Sequence, residues 1–189
     1  MSAQLQSTAY HEAGHAVAAW ALGVPVRSIT IVRDGNVSLG SVTYAPVLSK
    51  RVLQPFKFKT SLQGIEGETA ALRYAVISLA GVVSQRKYAP RSVRRGHARH
   101  DYQAVIFSAE QAGCSDEQEL KHWYRRALRR AEQLIERKWP AVEAVASALI
   151  KKRELSGKEA LAAIHSAYET LGEAIARSAR PRREKKQRR

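Results

Sequence analysis

The sequence predicts a mainly α-helical domain with a small β-hairpin or sheet near its N-terminus. Three observations carry this. Long apolar-periodic stretches dominate the chain, two Ser-x-x-(Gln/Glu) capping boxes open late helices, and one turn signal separates two β-branched runs. Residues 4–22 are rich in Ala, Leu and Gln and read as a helix, with Ser7 and Thr8 as candidate starts. Gly23 and Pro25 supply its stop. Residues 26–32 read as a strand, Asp34-Gly35-Asn36 as the hairpin turn, and residues 37–44 as the returning strand. Residues 45–64 hold two prolines and no clean period, so they read as a long loop. A long helix is expected over residues 65–88, ending before Pro90, and a basic loop over 91–100. Further helices follow: residues 101–112, one from the Ser115-x-x-Gln118 box to about Lys138, one from Pro140, and one from the Ser156-x-x-Glu159 box to Arg177.

The chain has 189 residues, of which 44% are apolar, enough for one buried core. A single cysteine, Cys114, excludes an internal disulfide framework and any multi-cysteine zinc knuckle. No apolar stretch reaches the ~20 residues of a membrane span. The first residues lack a basic region followed by an apolar one, so a cytoplasmic location is expected. Charge is the unusual feature. Lys and Arg number 32 against 17 Asp and Glu, a net +15. Residues 177–189 hold eight basic residues and one Glu, and read as a disordered basic tail after a domain over 1–176. Other basic stretches are residues 86–100 and the run Lys121, Arg125, Arg126, Arg129, Arg130. Such surfaces attract polyanions, so nucleic acid or another anionic surface is a candidate partner.

The strongest chemical signal is His11-Glu12-Ala13-Gly14-His15. Four residues apart on a helix, both imidazoles share a face and can reach one ion. Glu12 is placed to take a proton from a water that the ion acidifies, and zinc suits such a donor set. Apolar neighbours such as Ala13, Val17 and Ala18 make this a core helix, where unpaired histidines would be costly. Gly14 is a poor helix residue, and its smallness suggests the close approach of a backbone or ligand. A third ligand is needed. His97, His100 and Asp101 lie together where a loop enters a helix, whereas His122 and His165 read as surface or packing residues. The chain contains neither a phosphate-binding P-loop nor a G-x-G-x-x-G signature.

Residues 9–23 around this motif, Ser28-Ile-Thr-Ile-Val32 and Leu39-Gly40 resemble the peptidase domain of the FtsH (M41) family. Ile77-Ser-Leu-Ala-Gly81 is similar to that family's glycine-containing helix. Residues 96–105 (GHARHDYQAV) resemble its segment carrying an aspartate zinc ligand, and residues 144–164 resemble its closing stretch. The likeness runs in order through roughly residues 7–165. It implies an M41 peptidase-like helical domain, with His11, His15 and Asp101 as ligands of one Zn2+ per chain and Glu12 as the base. It also implies that an extended substrate adds to the edge of the β-element at Val37, Leu39, Gly40 and Val42. The chain departs from the pattern in three ways. No AAA+ unfoldase precedes the motif, so a standalone peptidase unit is expected. The family's Gly-Arg-x-Ala-Glu-Glu has become Gly81-Val-Val-Ser-Gln85-Arg86, and His100 stands before the aspartate and is an alternative ligand.

The expected activity is therefore a zinc-dependent metalloendopeptidase that hydrolyses peptide bonds in unfolded or flexible protein, needing no ATP of its own. The basic residues 91–99 would rim the site and favour acidic peptides. A homo-oligomer is open. The alternative is a non-catalytic module of the same fold that engages nucleic acid or a protein partner through its basic surfaces.

Overall fold

Helix α1 spans Ala3–Ala21 and begins earlier than either candidate start. Ser2 caps it, its hydroxyl accepting from the Leu5 amide at 3.3 Å. Ser7 and Thr8 lie inside the helix and donate back to the Gln4 carbonyl at 2.9 and 3.0 Å. In the computed structural model, residues 2–32, 40–44, 65–93 and 98–178 are described, with only the backbone given for 65–69 and 170–178. The expected turn at Asp34-Gly35-Asn36, the loop over 45–64, His97 and the tail from residue 179 lie outside the described residues.

Strand β1 covers Val26–Thr30 and β2 covers Ser41–Tyr44. They pair antiparallel with Ile29 opposite Val42, as the hairpin reading expects. A third strand, β3 at Glu154–Ser156, pairs antiparallel with β1 on its other side, giving the order β2-β1-β3. Sequence reading missed it. Three residues carry no legible alternation, and the strand exists because Leu155 opposes Ile29 and both are buried.

Helix α2 (Ile65–Tyr88) ends before Pro90 as expected, and a single 3-10 turn follows at Pro90–Ser92. It lies along α1, and small residues let the two approach closely. Ala13, Ala75 and Ala80 are fully buried. A Cβ on Gly14 would meet the Ser84 side chain and lie 2.5 Å from the Ala80 carbonyl oxygen, so the close partner anticipated at Gly14 is α2, through one side chain and one stretch of backbone. Gly81 on α2 answers it: a Cβ there would meet the His15 ring, 2.6 Å from Cε1.

Helix α3 (Arg99–Gln111) starts two residues before the expected boundary, which places Asp101 in its first turn. Helix α4 (Glu117–Arg137) is capped by Asp116 rather than Ser115: Asp116 Oδ1 accepts from the Glu119 amide at 2.8 Å. Glu119 in turn accepts from the Ser115 amide at 2.7 Å, so the box is shifted one residue. Trp123, Ala127, Ala131, Leu134 and Ile135 form its buried stripe. Helix α5 (Trp139–Lys152) has Pro140 in its first turn, as expected. Helix α6 (Gly157–Ser178) opens on the Ser156–Glu159 box, with Glu159 accepting from the Ser156 amide at 2.8 Å. The mostly helical fold with a small antiparallel sheet agrees with the expected class. Among the described residues no helix is long and apolar enough to cross a membrane.

Candidate metal centre

One turn apart on α1, His11 and His15 project to the same side, and their Nε2 atoms lie 3.0 Å from each other. Asp101 comes to meet them from the first turn of α3. Its Oδ2 is 3.2 Å from His11 Nε2 and its Oδ1 is 3.4 Å from His15 Nε2. All ligand atoms of the three residues fall within 4.8 Å of one another, a cluster that could hold a metal ion. Their side chains remain slightly exposed, at 12%, 10% and 16%, so solvent reaches the centre.

The wall behind them is one face of α2. Ile77, Gly81 and Gln85 recur every four residues and therefore line up along it. His15 Nδ1 is 2.8 Å from the Ile77 carbonyl oxygen. A carbonyl only accepts, so Nδ1 donates and the Nε2 lone pair faces the centre. Gly81 leaves the room that the His15 ring occupies. His11 Nδ1 meets Gln85 Oε1 at 3.0 Å. Imidazole and carboxylate lone pairs thus converge on one spot, an arrangement that favours a cation.

Glu12, next to His11 on α1, is buried, at 6% exposure. Burial pushes its carboxyl up to about 7; the His15 imidazole pulls it down and the Asp101 carboxylate pushes it up. Gly40, at the entry to β2, lies against the Glu12 side chain. Tyr44 at the end of β2 and Tyr74 on α2 close the neighbourhood. Burial raises both phenols, with Glu12 adding to the shift at Tyr44 and Asp101 at Tyr74.

The structure thus brings together His11, His15 and Asp101, with Glu12 next to His11 in sequence. His100 is exposed and stands outside the cluster. Val37 and Leu39 lie outside the described residues, while Gly40 and Val42 are placed at β2. His122 and His165 are exposed, and His165 packs edgewise on Trp20. Sequence reading missed Ile77 and Gln85 as supports. A main-chain carbonyl leaves no mark in sequence. Gln85 does leave one, a polar residue four places after Gly81 in the sequence of a helix that reads as apolar-periodic.

No family model matches the chain. Curated relatives do. The chain is 24% identical over 172 residues to the ATP-dependent zinc metalloprotease FTSH 10, mitochondrial, of Arabidopsis thaliana, covering 79% of this chain and 20% of that protein. It is 25% identical over 173 residues to the ATP-dependent zinc metalloprotease FtsH of Rhodothermus marinus, covering 80% of this chain and 25% of that protein. It is 25% identical over 175 residues to FTSH 3, mitochondrial, of Arabidopsis thaliana, covering 79% of this chain and 21% of that protein. The chain therefore spans a quarter or less of the length of these relatives. The chain thus has distant similarity to ATP-dependent zinc metalloproteases and, in its own structure, a His-His-Asp cluster that could hold a metal ion.

Proposed function

We propose that this chain is a zinc-dependent metalloendopeptidase unit that hydrolyses peptide bonds in unfolded or flexible protein, with ATP no part of the hydrolytic step itself. The observation that carries the proposal is the convergence of His11, His15 and Asp101 beside a buried Glu12. The donor set fits zinc. Two imidazole nitrogens and one carboxylate leave a fourth tetrahedral position open. The 3.0, 3.2 and 3.4 Å separations approach the ~3.3 Å ligand–ligand edge expected for zinc arms of about 2.0–2.1 Å.

Bound there, zinc would act as a Lewis acid that acidifies an attacking water and polarises the scissile carbonyl. The chain's own residues do the rest. His11, His15 and Asp101 hold and orient the ion. Glu12 takes one proton from the water as the water's oxygen bonds the carbonyl carbon. It returns that proton to the amine nitrogen as the C–N bond breaks. Strand β2 is an edge among the described residues and leads out of Gly40 beside Glu12. Gly40 and Val42 support a role for this edge in receiving an extended peptide as an added strand.

Hydrolysis of casein by the zinc-loaded protein and its Glu12→Gln variant tests the proposal. The variant should keep its zinc and lose on the order of 10²–10⁴ in kcat. Full activity in Glu12→Gln would contradict it.

A second reading, polyanion binding, is favoured by α4. Arg125, Arg129 and Arg130 are exposed on one side and make no ion pair among the described residues, whereas Lys121 pairs with Glu117. Replacing the three by Gln should reduce the salt dependence of binding to duplex DNA by ~0.9 in logarithmic slope per lost phosphate contact. An unchanged slope removes this reading.

A further inference from the structure

Gln85 is almost wholly buried, at 5% exposure, and both ends of its amide are engaged. Its Nε2 lies 3.3 Å from the Ser92 carbonyl oxygen and 3.1 Å from Ser92 Oγ. Its Oε1 lies 3.0 Å from His11 Nδ1. The Ser92 carbonyl can only accept, so the end of the amide that meets it must be the NH2. The Ser92 hydroxyl agrees: it donates to the Ala89 carbonyl at 2.8 Å and has a lone pair left for Gln85. Ser92 is itself held by the 3-10 turn, its amide donating to the same Ala89 carbonyl at 2.9 Å. With the amide oriented this way, Oε1 carries no hydrogen, so the proton in the 3.0 Å contact belongs to His11 Nδ1.

We propose that Gln85, oriented by the Ser92 carbonyl, is a positioning residue that holds His11 in its Nδ1–H form and aims Nε2 at the metal. The inference rests on the zinc reading above. It also accounts for one of the departures at residues 81–86. A carboxylate at position 85 would accept from His11 equally well, but its second oxygen would face the Ser92 carbonyl, acceptor against acceptor. The amide and the turn at Pro90–Ser92 are a matched pair. His15 has a different device for the same end, the Ile77 carbonyl, and so serves as a control within the same molecule.

The test compares the zinc-loaded full chain with Gln85→Leu and Gln85→Glu, reading zinc affinity by chelator competition and the two imidazole Nδ1 protons by NMR. In the wild type both protons should exchange slowly. Gln85→Leu should weaken zinc binding by ~10–100-fold, the usual effect of losing a partner behind a ligand. It should release the His11 proton to fast exchange and leave the His15 proton protected. Gln85→Glu restores an acceptor for His11 but sets its second oxygen against the Ser92 carbonyl, so it should recover part of the affinity and no more. The proposal is overturned if Gln85→Leu binds zinc as tightly as wild type, or if both protons lose protection together, which marks a general loosening. It is overturned too if Gln85→Glu binds no better than Gln85→Leu. A wild type that takes up no zinc would instead overturn the metallopeptidase reading, and this inference with it.

Discussion

Helices α1 and α4 are of similar length, yet they solve opposite problems. Helix α1 is buried almost continuously from Ser7 to Ala19, and its polar residues find partners inside the protein. His11 meets Gln85 and His15 meets Ile77. Helix α4 buries one stripe of small and apolar residues and leaves its arginines in water. A helix that must place two imidazoles and a carboxylate in the interior has no solvent side to spare, so each neighbour must be small or complementary. A helix that only covers the core needs a single apolar face. Substitutions should therefore be costly on the α1–α2 side and nearly free on the outer side of α4.

The sharpest way to break this contrast is Gly81→Ala. Its methyl would displace the His15 ring rather than a flexible chain end, so zinc affinity should fall by at least about 100-fold, beyond the usual effect of a change behind the ligands. Chelator competition reads it directly, and unaltered affinity would mean that the ring has room to spare. Next is Gly14→Ala, which pushes against the Ser84 side chain and the Ala80 backbone. Overpacking of about 1–3 kcal/mol, offset by roughly 1 kcal/mol of better helix propensity, should leave a net loss measurable by denaturant unfolding.

A smaller effect belongs to the exposed cap of α6. The Lys152 ammonium and the Ser156 amide and hydroxyl hold the Glu159 carboxyl at about 2, below its ordinary 4.5. A depressed folded value means that the ionised cap stabilises the protein above pH 4.5, and that this contribution disappears as pH falls through about 2. Water screens the site, so the contribution is modest. Unfolding curves of wild type and Glu159→Gln should stay separated above pH 4.5 and converge toward pH 2; a gap that persists there would contradict the assignment. Smallest of all, replacing Arg125, Arg129 and Arg130 by Gln should shift stability by no more than about 0.5 kcal/mol per site and leave casein hydrolysis unchanged.

The same contrast explains what could be read from sequence. The long helices were legible because periodic burial repeats over many residues, and α2 ends where Pro90 requires it. The histidine pair was legible because spacing on one helix is local information. Bringing Asp101 to it needed the family resemblance, since ninety residues of chain separate the two. Helix starts slipped where two capping residues compete, as at Ser115 and Asp116, or where an interior hydroxyl such as Thr8 bonds the preceding turn instead. Strand β3 and the Ile77 support were illegible, because both are consequences of a partner arriving from elsewhere in the chain.

The central claim is that the two imidazoles and Asp101 together bind zinc. Metal analysis of the purified wild type and of Asp101→Ala, after dialysis against a weak chelator, tests it most directly. The account predicts one zinc per chain in the wild type and almost none in the variant, with both proteins folded. A zinc-free wild type, or an Asp101→Ala variant that keeps its full complement, would contradict it.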